Sequence, residues 1–266
     1  MSTENLLYEQ RIMNLQKKLD QMTCDLDTCQ KEKDEFIYIA SHDLKAPLRK
    51  LITFTERLVQ LAGKELNEDA LSCISRIQKN ALSIQSLIDD LSKLSEIEAC
   101  NDFEKCDLNQ ILNDVLQESS SYWKVNPTSL HISALPVIYG NPSQLKLVFK
   151  NIIDNAVKFQ PEAQAPEITV SADLLKEGEK IKFNLPTEKV YYEIRFADNG
   201  IGFNEEDGSH ILKPFVRLNG QSSFSGNGIG LSICDKIIKL HNGKFYAKGI
   251  QNKGSVFVLI LPRFLQ

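Results

Sequence analysis

A histidine followed directly by an aspartate stands just before a proline in this sequence: His42, Asp43 and Pro47. An imidazole can act as a nucleophile or carry a proton near neutral pH, and a carboxylate beside it can orient the ring. Proline removes a backbone donor and clashes with the preceding turn, so a helix that carries it should bend or loosen there. A single exposed histidine is usually an ordinary surface residue, so the case for chemistry at His42 depends on other residues.

A group of polar residues recurs at helical spacing later in the chain: Asn151, Asn155 and Lys158, followed by Phe159. Steps of four and three place the three polar side chains on one face of a helix. An amide oxygen is a hard ligand that suits Mg²⁺, and a lysine is a point charge that suits a phosphate. Taken alone, the same pattern also fits a helix with solvated amides.

The segment containing Asp198, Gly200 and Gly202 follows an apolar run that is predicted to be a strand. Glycines allow the backbone to approach a ligand closely, and a carboxylate at a strand end can accept a hydrogen bond from an exocyclic amine. This segment is therefore a candidate ligand site, although a hairpin turn would explain it as well.

A second glycine-containing segment combines Gly226, Gly228, Gly230 and Leu231 ahead of a predicted helix. A glycine-rich loop that leads into a helix N-terminus offers backbone amides to an anion. The segment matches neither the Walker phosphate loop nor a dinucleotide fingerprint, because no Gly-Lys-Ser/Thr follows it and no strand directly precedes it.

The region around His42 is predicted to be one long helix. Apolar or small residues alternate at spacings of four and three over residues 8–40, which is the signature of a coiled coil. His42 falls beside this seam, so its side chain is predicted to face solvent. Cys29 falls on the seam, where a redox crosslink between two copies is a further hypothesis. The seam comprises Tyr8, Ile12, Leu15, Leu19, Met22, Leu26, Cys29, Lys33, Phe36 and Ala40.

A helical hairpin is predicted beyond His42. The first helix continues to Ala62, a turn starts at Gly63, and a second helix begins near Asp69. The short connection implies antiparallel packing, but one hairpin leaves its apolar face incompletely covered. Two copies would complete a four-helix bundle, so we predict a homodimer; packing of the hairpin on the second half of the chain is the alternative.

The apolar period changes near residues 100–103, which marks a domain boundary. The mixed order of helices and strands beyond it predicts an α/β sandwich with helices packed on one face of the sheet. The predicted organisation is a coiled-coil helix over residues 1–35, a helical hairpin over 36–101 and an α/β domain over 102–266. Strands are predicted at 131–135, 137–139, 167–172, 181–185, 190–197, 244–248 and 255–261.

The composition argues against several classes of partner. Lys plus Arg number 31 against 35 Asp plus Glu, so the net charge of -4 offers no basic field to nucleic acid or anionic membrane. No window approaches the roughly 20 apolar residues of a membrane-spanning helix, and the first ten residues lack a signal-peptide core. The cysteines form no close Cys-x-x-Cys pairs and are expected to be reduced thiols. These features predict a cytoplasmic protein.

Taken together, these segments resemble the motifs of bacterial sensor histidine kinases of the HisKA class, and the resemblance covers nearly the whole chain. It implies a dimerisation and histidine-phosphotransfer hairpin followed by an ATP-binding domain of the GHKL, or Bergerat, fold. The similar motifs are the H box at residues 36–48, the N box at 151–159, the G1 box at 198–202, the F box at Pro214, Phe215 and Arg217, and the G2 box at 226–231.

The resemblance implies that His42 is the nucleophile that takes the γ-phosphoryl group of ATP. Asp43 is then the base that relieves the other ring nitrogen of its proton. An adjacent carboxylate is suited to this role because it orients the ring tautomer and stabilises the developing imidazolium.

The resemblance also implies a site for ATP with Mg²⁺. Asn155 is the implied Mg²⁺ ligand, Asn151 and Lys158 are neighbours of the phosphates, and Phe159 is an aromatic wall. Asp198 would hold the adenine amine. The residues that would shape the pocket are Gly200, Gly202, Gly226, Gly228, Gly230 and Leu231.

One departure from the family pattern concerns the position four residues after the histidine. Relatives that act as phosphatases carry threonine or asparagine there to orient a water molecule, whereas this chain has Ala46. Because a methyl group cannot donate or accept a hydrogen bond, we expect weak phosphatase activity.

The resemblance implies transfer of the phosphoryl group from His42 to an aspartate in the receiver domain of a separate response regulator. It also implies input from an upstream sensor domain or sensor protein, so the chain could be the cytoplasmic part of a longer receptor. A GHKL ATPase without phosphotransfer and an ATP-sensing dimer scaffold are the two alternatives. An exposed His-Asp pair before a proline disfavours the first, and the filled nucleotide motifs disfavour the second.

Overall fold

The computed structural model describes residues 3–63, 65–96, 102–118, 128–161, 164–218 and 227–264. The chain divides into two compact units, a helical unit over Met1–Ser95 and an α/β unit over Glu96–Gln266. The predicted architecture of a helical hairpin followed by an α/β domain is confirmed.

The helical unit consists of helix α1, Thr3–Ala62, and helix α2, Glu68–Glu96. Pro47 lies inside α1. Asn67 caps α2, because its side-chain oxygen accepts a hydrogen bond from the backbone N–H of Ala70 at 2.8 Å. Within the described residues, neither helix has a stretch long and apolar enough to cross a membrane.

The two helices pack along a narrow interface. Ile74, Ala81 and Ile88 of α2 are buried, and Lys45 of α1 forms an ion pair with Asp89 of α2 at 2.9 Å. A second set of apolar side chains on the hairpin stays open to solvent, which is unfavourable for an isolated unit in water. On α1 this set is Leu44, Leu51, Phe54, Leu58, Val59 and Leu61, and on α2 it is Ile77, Leu82 and Ile84.

The α/β unit is built on a five-stranded sheet with the order β2-β4-β5-β7-β6. Strands β2 and β4 are parallel, and the other neighbouring pairs are antiparallel. The strands are β2, Ser129–Ile132; β4, Glu167–Leu174; β5, Tyr191–Asp198; β6, Lys244–Ile250; and β7, Gly254–Pro262. A separate antiparallel pair joins β1, Glu104–Asp107, to β3, Val137–Gly140.

Among the described residues of this unit, the α-helices are α3, Leu108–Glu118; α4, Pro142–Lys158; α5, Glu177–Lys182; and α6, Gly230–Leu240, and a short 3-10 helix spans Glu205–Ser209. The core lies between α4, α6 and the sheet, where Ile152, Ile194 and Ile237 are fully buried. Phe149 of α4 meets Phe196 of β5 edge to face, with ring centroids 5.0 Å apart. This packing fixes α4 against the strand that ends at Asp198.

Hydrogen bonds hold the start of α4 and the end of α6 together. The side chain of Asn141 accepts from the N–H of Gln144 at 3.0 Å and so caps α4. Buried His241, directly after α6, accepts from the N–H of Asn141 through Nε2 at 3.0 Å and lies 2.8 Å from the carbonyl of Ile237 through Nδ1. The imidazole therefore carries its proton on Nδ1 and links the start of α4 to the end of α6.

The strand prediction for residues 181–185 is wrong, because the short helix α5 occupies the first part of this segment. The side chain of Glu179 accepts a hydrogen bond from the backbone N–H of Lys176 at 3.4 Å and helps to start that helix. The apolar residues do not alternate between two faces as in a strand: Ile181 is 67% exposed. Leu185 instead joins a buried cluster with Leu175, Tyr191 and Ile260.

Candidate functional site

His42 projects from α1 into solvent, as predicted, with 78% of its side chain exposed. Its Nδ1 lies 3.3 Å from Oδ1 of Asp43. A neutral imidazole that donates from Nδ1 has its lone pair on Nε2. The pair can therefore present a nucleophilic nitrogen on the side of the ring away from the carboxylate.

The polar face predicted on α4 occupies the second half of that helix. Asn151, Asn155 and Lys158 are each half-buried and lie one turn apart. The ammonium of Lys158 lies 4.5 Å from the ring centroid of Phe159. Burial lowers the pKa of Lys158, and the nearby positive charge of Arg217 lowers it further. Lys158 and Arg217 thus form a cationic pair that suits an anionic ligand.

Asp198 ends β5 in a largely enclosed position. Its Oδ1 accepts hydrogen bonds from the backbone N–H groups of Gly200 at 2.8 Å and Ser255 at 3.2 Å. Burial raises the pKa of Asp198 to about 6, although these two bonds favour the ionised form. The carboxylate is therefore ionised at neutral pH and available as an acceptor for a buried donor.

The loop after Asp198 docks directly on the end of α4. The N–H of Ile201 donates to the carbonyl of Phe159 at 2.9 Å, and a Cβ at Gly200 would collide with the same carbonyl oxygen. This close approach brings Asp198 together with the polar face of α4.

The second glycine segment also approaches α4. The N–H of Phe215 donates to the carbonyl of Gly228 at 2.9 Å, and Gly228 has a φ of +71°, which favours glycine. A Cβ at Gly230 would lie 3.0 Å from Oδ1 of Asn151. Leu231 is half-buried in the first turn of α6, and Gly226 lies outside the described residues.

Asp198 has two neighbours that the sequence patterns do not predict, Gly254 and Ser255 at the start of β7. Gly254 has a φ of +115°, and a Cβ there would collide with the carbonyl oxygen of Asp198. Ser255 donates its backbone N–H to the Asp198 carboxylate. The only signal in the sequence is a Gly-Ser pair that opens the last strand.

The site residues therefore fall into two groups, one in each unit. His42 and Asp43 belong to the helical unit, and the residues from Asn151 to Leu231 that the structure describes belong to the α/β unit. Among the described residues, no group of three or more His, Cys, Asp or Glu side chains could hold a metal ion. Amide oxygens such as that of Asn155 are the hard donors that the polar face of α4 offers for Mg²⁺.

Two family descriptions match the chain, each over a separate segment. Residues 32–100 match the His Kinase A (phospho-acceptor) domain. Residues 140–264 match the histidine kinase-, DNA gyrase B- and HSP90-like ATPase family. The chain belongs to the histidine kinases. His42 and the nucleotide motifs of this kinase fall inside the two matched segments.

Curated relatives of this kinase are sensory proteins from several bacteria. It is 28% identical over 246 residues to Cyanobacterial phytochrome A of Nostoc sp., covering 92% of this chain and 30% of that protein. It is 28% identical over 265 residues to the adaptive-response sensory kinase SasA of Synechococcus elongatus, covering 92% of this chain and 63% of that protein. The kinase chain thus spans about a third of the length of the phytochrome that it matches.

Among solved structures, the kinase resembles full-length ShkA in complex with AMPPNP, with a TM-score of 0.60 and 20% identity. The match covers 86% of this chain and 45% of ShkA. At this level of identity the likeness supports a shared fold.

Proposed function

We propose that this histidine kinase uses ATP and Mg²⁺ to phosphorylate its own His42, and then passes the phosphoryl group to an aspartate on a separate response regulator. The observation that carries the proposal is the exposed imidazole of His42 with Nδ1 against the carboxylate of Asp43. A solvent-facing imidazole with one nitrogen occupied has its other nitrogen available for a bulky phosphate donor.

The proposed chemistry follows from that geometry. Nε2 of His42 attacks the γ-phosphorus of ATP, the bond from that phosphorus to the β–γ bridging oxygen breaks, and ADP leaves with the bonding electrons. The proton on Nδ1 passes to the carboxylate of Asp43, which leaves a neutral ring bearing the phosphoryl group. Asp43 thereby acts as general base and holds the ring in the reactive tautomer.

The α/β unit supplies the proposed nucleotide site. Asp198 would accept a hydrogen bond from the adenine amine, and the Phe159 ring would form an aromatic wall. Lys158 would bind the phosphates, with Arg217 as a second cation. The ShkA complex with AMPPNP supports nucleotide binding by this fold.

Asn155 would hold Mg²⁺ through its amide oxygen, and Asn151 would lie beside the phosphates. Mg²⁺, when bound, supplies charge neutralisation to the phosphate oxygens. The close approach of Asn151 to Gly230, at the start of α6, supports this role.

A homodimer is the proposed functional state, because it would cover the open apolar face of the hairpin. Leu44 and Leu51 lie about 100–120° round α1 from Lys45, which pairs with Asp89 of α2. Each helix of a four-helix bundle contacts two neighbours at roughly this angle. We assign residues 1–35 to a coiled-coil signalling helix, 36–101 to the dimerisation and phosphotransfer hairpin, and 102–266 to the ATP-binding domain.

Because Ala46 follows His42 on α1, we propose that phosphatase activity towards the phosphorylated response regulator is weak. Ala46 follows the phosphoacceptor by one helical turn and is exposed on α1, where a threonine or asparagine could orient a water molecule but a methyl group cannot. We also propose that the kinase works in the cytoplasm and receives its input through α1 from an upstream sensor domain or sensor protein.

The test is incubation with γ-labelled ATP and Mg²⁺ for the wild type and for His42→Gln and Asn155→Ala. We expect acid-labile label on the wild type and none on either variant, while His42→Gln still binds nucleotide. ATP hydrolysis without protein labelling would indicate a GHKL ATPase instead, and nucleotide binding without either reaction would indicate an ATP-sensing scaffold.

A further inference from the structure

Lys45 is the only lysine or arginine within four residues of His42 on either side in the sequence. It follows His42 by three residues on α1, and side chains at this spacing are neighbours on a helix surface, with Cβ atoms about 5–6 Å apart. A lysine ammonium on a flexible four-carbon stem can therefore reach a group attached to the His42 ring.

The ammonium of Lys45 is bound to Asp89 across the hairpin, with Nζ and Oδ1 2.9 Å apart. Both side chains are partly exposed, Lys45 by 31% and Asp89 by 44%. Ion pairs in such positions are weak because water screens them. A stronger anion close by would therefore compete effectively for Lys45.

Phosphorylation of His42 would create that anion. The remaining residues within one turn of His42 offer no other positive charge: Asp43 repels a phosphate, and Leu44 and Ala46 are apolar. Within this segment Lys45 alone can neutralise the incoming charge.

We propose that Lys45 is a phosphate-binding residue of the phosphoacceptor site, whose ammonium leaves Asp89 to bind the phosphoryl group on His42 and so stabilises the phosphorylated state. This inference rests on the phosphorylation of His42 proposed above. Asp89 competes for the same ammonium and thereby limits how far the phosphorylated state is stabilised. Phosphorylation in turn releases the ion pair that joins α1 to α2, so the hairpin responds to the state of His42.

The role of Asp89 distinguishes this inference from simple bracing of the hairpin. If the ion pair only holds α1 against α2, the loss of either partner should act in the same direction. If Asp89 competes with the phosphoryl group, the loss of Lys45 and the loss of Asp89 should act in opposite directions.

The experiment measures the equilibrium fraction of phosphorylated full-length kinase at fixed ATP and ADP concentrations for Lys45→Met, Asp89→Asn and the double variant. We expect Lys45→Met to lower the ratio of phosphorylated to free kinase about fivefold, and Asp89→Asn to raise it about threefold. The double variant should match Lys45→Met, because Asp89 acts only through Lys45.

The matched control is Lys79→Met, which removes an exposed lysine from α2 and should leave the ratio unchanged. A ratio equal to the wild type in Lys45→Met, or a change in the same direction for Lys45→Met and Asp89→Asn, would overturn the inference. Absence of label on His42 in the wild type would instead overturn the proposed function, so the two failures are distinguishable.

Discussion

The two units of this kinase hold their functional groups in opposite ways. In the α/β unit, Asp198 is half-buried, accepts hydrogen bonds from two backbone N–H groups and is approached closely by Gly200 and Gly254. In the helical unit, His42 stands on the helix surface, where Nδ1 of its ring contacts Asp43. The proposed nucleotide site is thus largely preorganised, whereas His42, as the proposed phosphoacceptor, must be accessible to a phosphate donor and then to a phosphate acceptor.

The same contrast holds for the apolar residues. Phe149 and Phe196 of the α/β unit are buried between helices and sheet, while Leu44 and Phe54 of the helical unit are 53% and 67% exposed. The α/β unit therefore completes its core within one chain. The helical unit has a second apolar face, which the proposed homodimer would cover with another copy.

The largest effect is expected from a substitution in the closely packed backbone around Asp198. In Gly254→Ala, a methyl group enters a position with φ of +115° and collides with the carbonyl of Asp198. We expect a loss of about 4 kcal/mol or more in the free energy of unfolding, measured by urea denaturation of the whole chain.

Gly178→Ala is the matched control, because no atom lies within 4 Å of a Cβ at that position in α5. Alanine should there be neutral or stabilise the helix by up to about 1 kcal/mol. Equal behaviour of the two variants would mean that the backbone around Asp198 is not closely packed.

A somewhat smaller effect is expected from a substitution on the exposed apolar face of the helical unit. Leu51→Glu places a charge on the proposed dimer face, at a leucine that is 41% exposed in the single chain. Summed over two copies, we expect a loss of about 3 kcal/mol, which is roughly a 100-fold rise in the dimer dissociation constant. Light scattering over a concentration series measures this directly.

Arg57→Glu is the control for that variant, since it introduces the same residue at an exposed position about 120° round α1 from Leu51. It should leave the dimer intact. If Leu51→Glu also stays dimeric, this apolar face does not form the interface. Dimerisation would then not explain why the helical unit leaves these apolar side chains exposed.

The smallest expected effect concerns the pH dependence of nucleotide binding. Burial raises the pKa of Asp198 to about 6, and only the ionised carboxylate is a full acceptor for an amine. Affinity should therefore fall as pH decreases through about 6, with about tenfold weaker binding at pH 5 than at pH 7. Equilibrium binding of AMPPNP measures it.

Asp198→Asn is the control for these pH measurements. It lacks the Asp198 carboxylate but keeps every other titrating group of the protein and of the nucleotide. Its weaker binding should lack the transition near pH 6. The same transition in both proteins would assign the effect to another group and remove Asp198 from the pH response.

Much of the fold could be predicted because it is encoded locally. The stripes of α1 and α2 repeat every three to four residues, and apolar residues alternate with polar ones along much of β4 and β5. Residues 181–185 misled the prediction because their alternation looks like a strand. What decides their structure is the cap of α5 and the burial of Leu185 against Tyr191 and Ile260, which is a tertiary effect.

In the candidate site, too, the residues with a local sequence pattern could be predicted and those that depend on tertiary contacts could not. The residues of α4 and the glycine segments could be found because their spacing is local. Ser255 could not, since it meets Asp198 from a position 57 residues away in the sequence. The partnership of Lys45 with Asp89 is equally non-local, because it depends on how α1 and α2 pair.

The most direct test of the central claim is ³¹P nuclear magnetic resonance of the kinase after reaction with ATP and Mg²⁺. Because Nδ1 of His42 lies against Asp43, we predict a phosphorus signal for phosphohistidine substituted on Nε2, which is absent in His42→Gln. A signal for the Nδ1 isomer, or a phosphorylated product that persists in His42→Gln, would contradict the account.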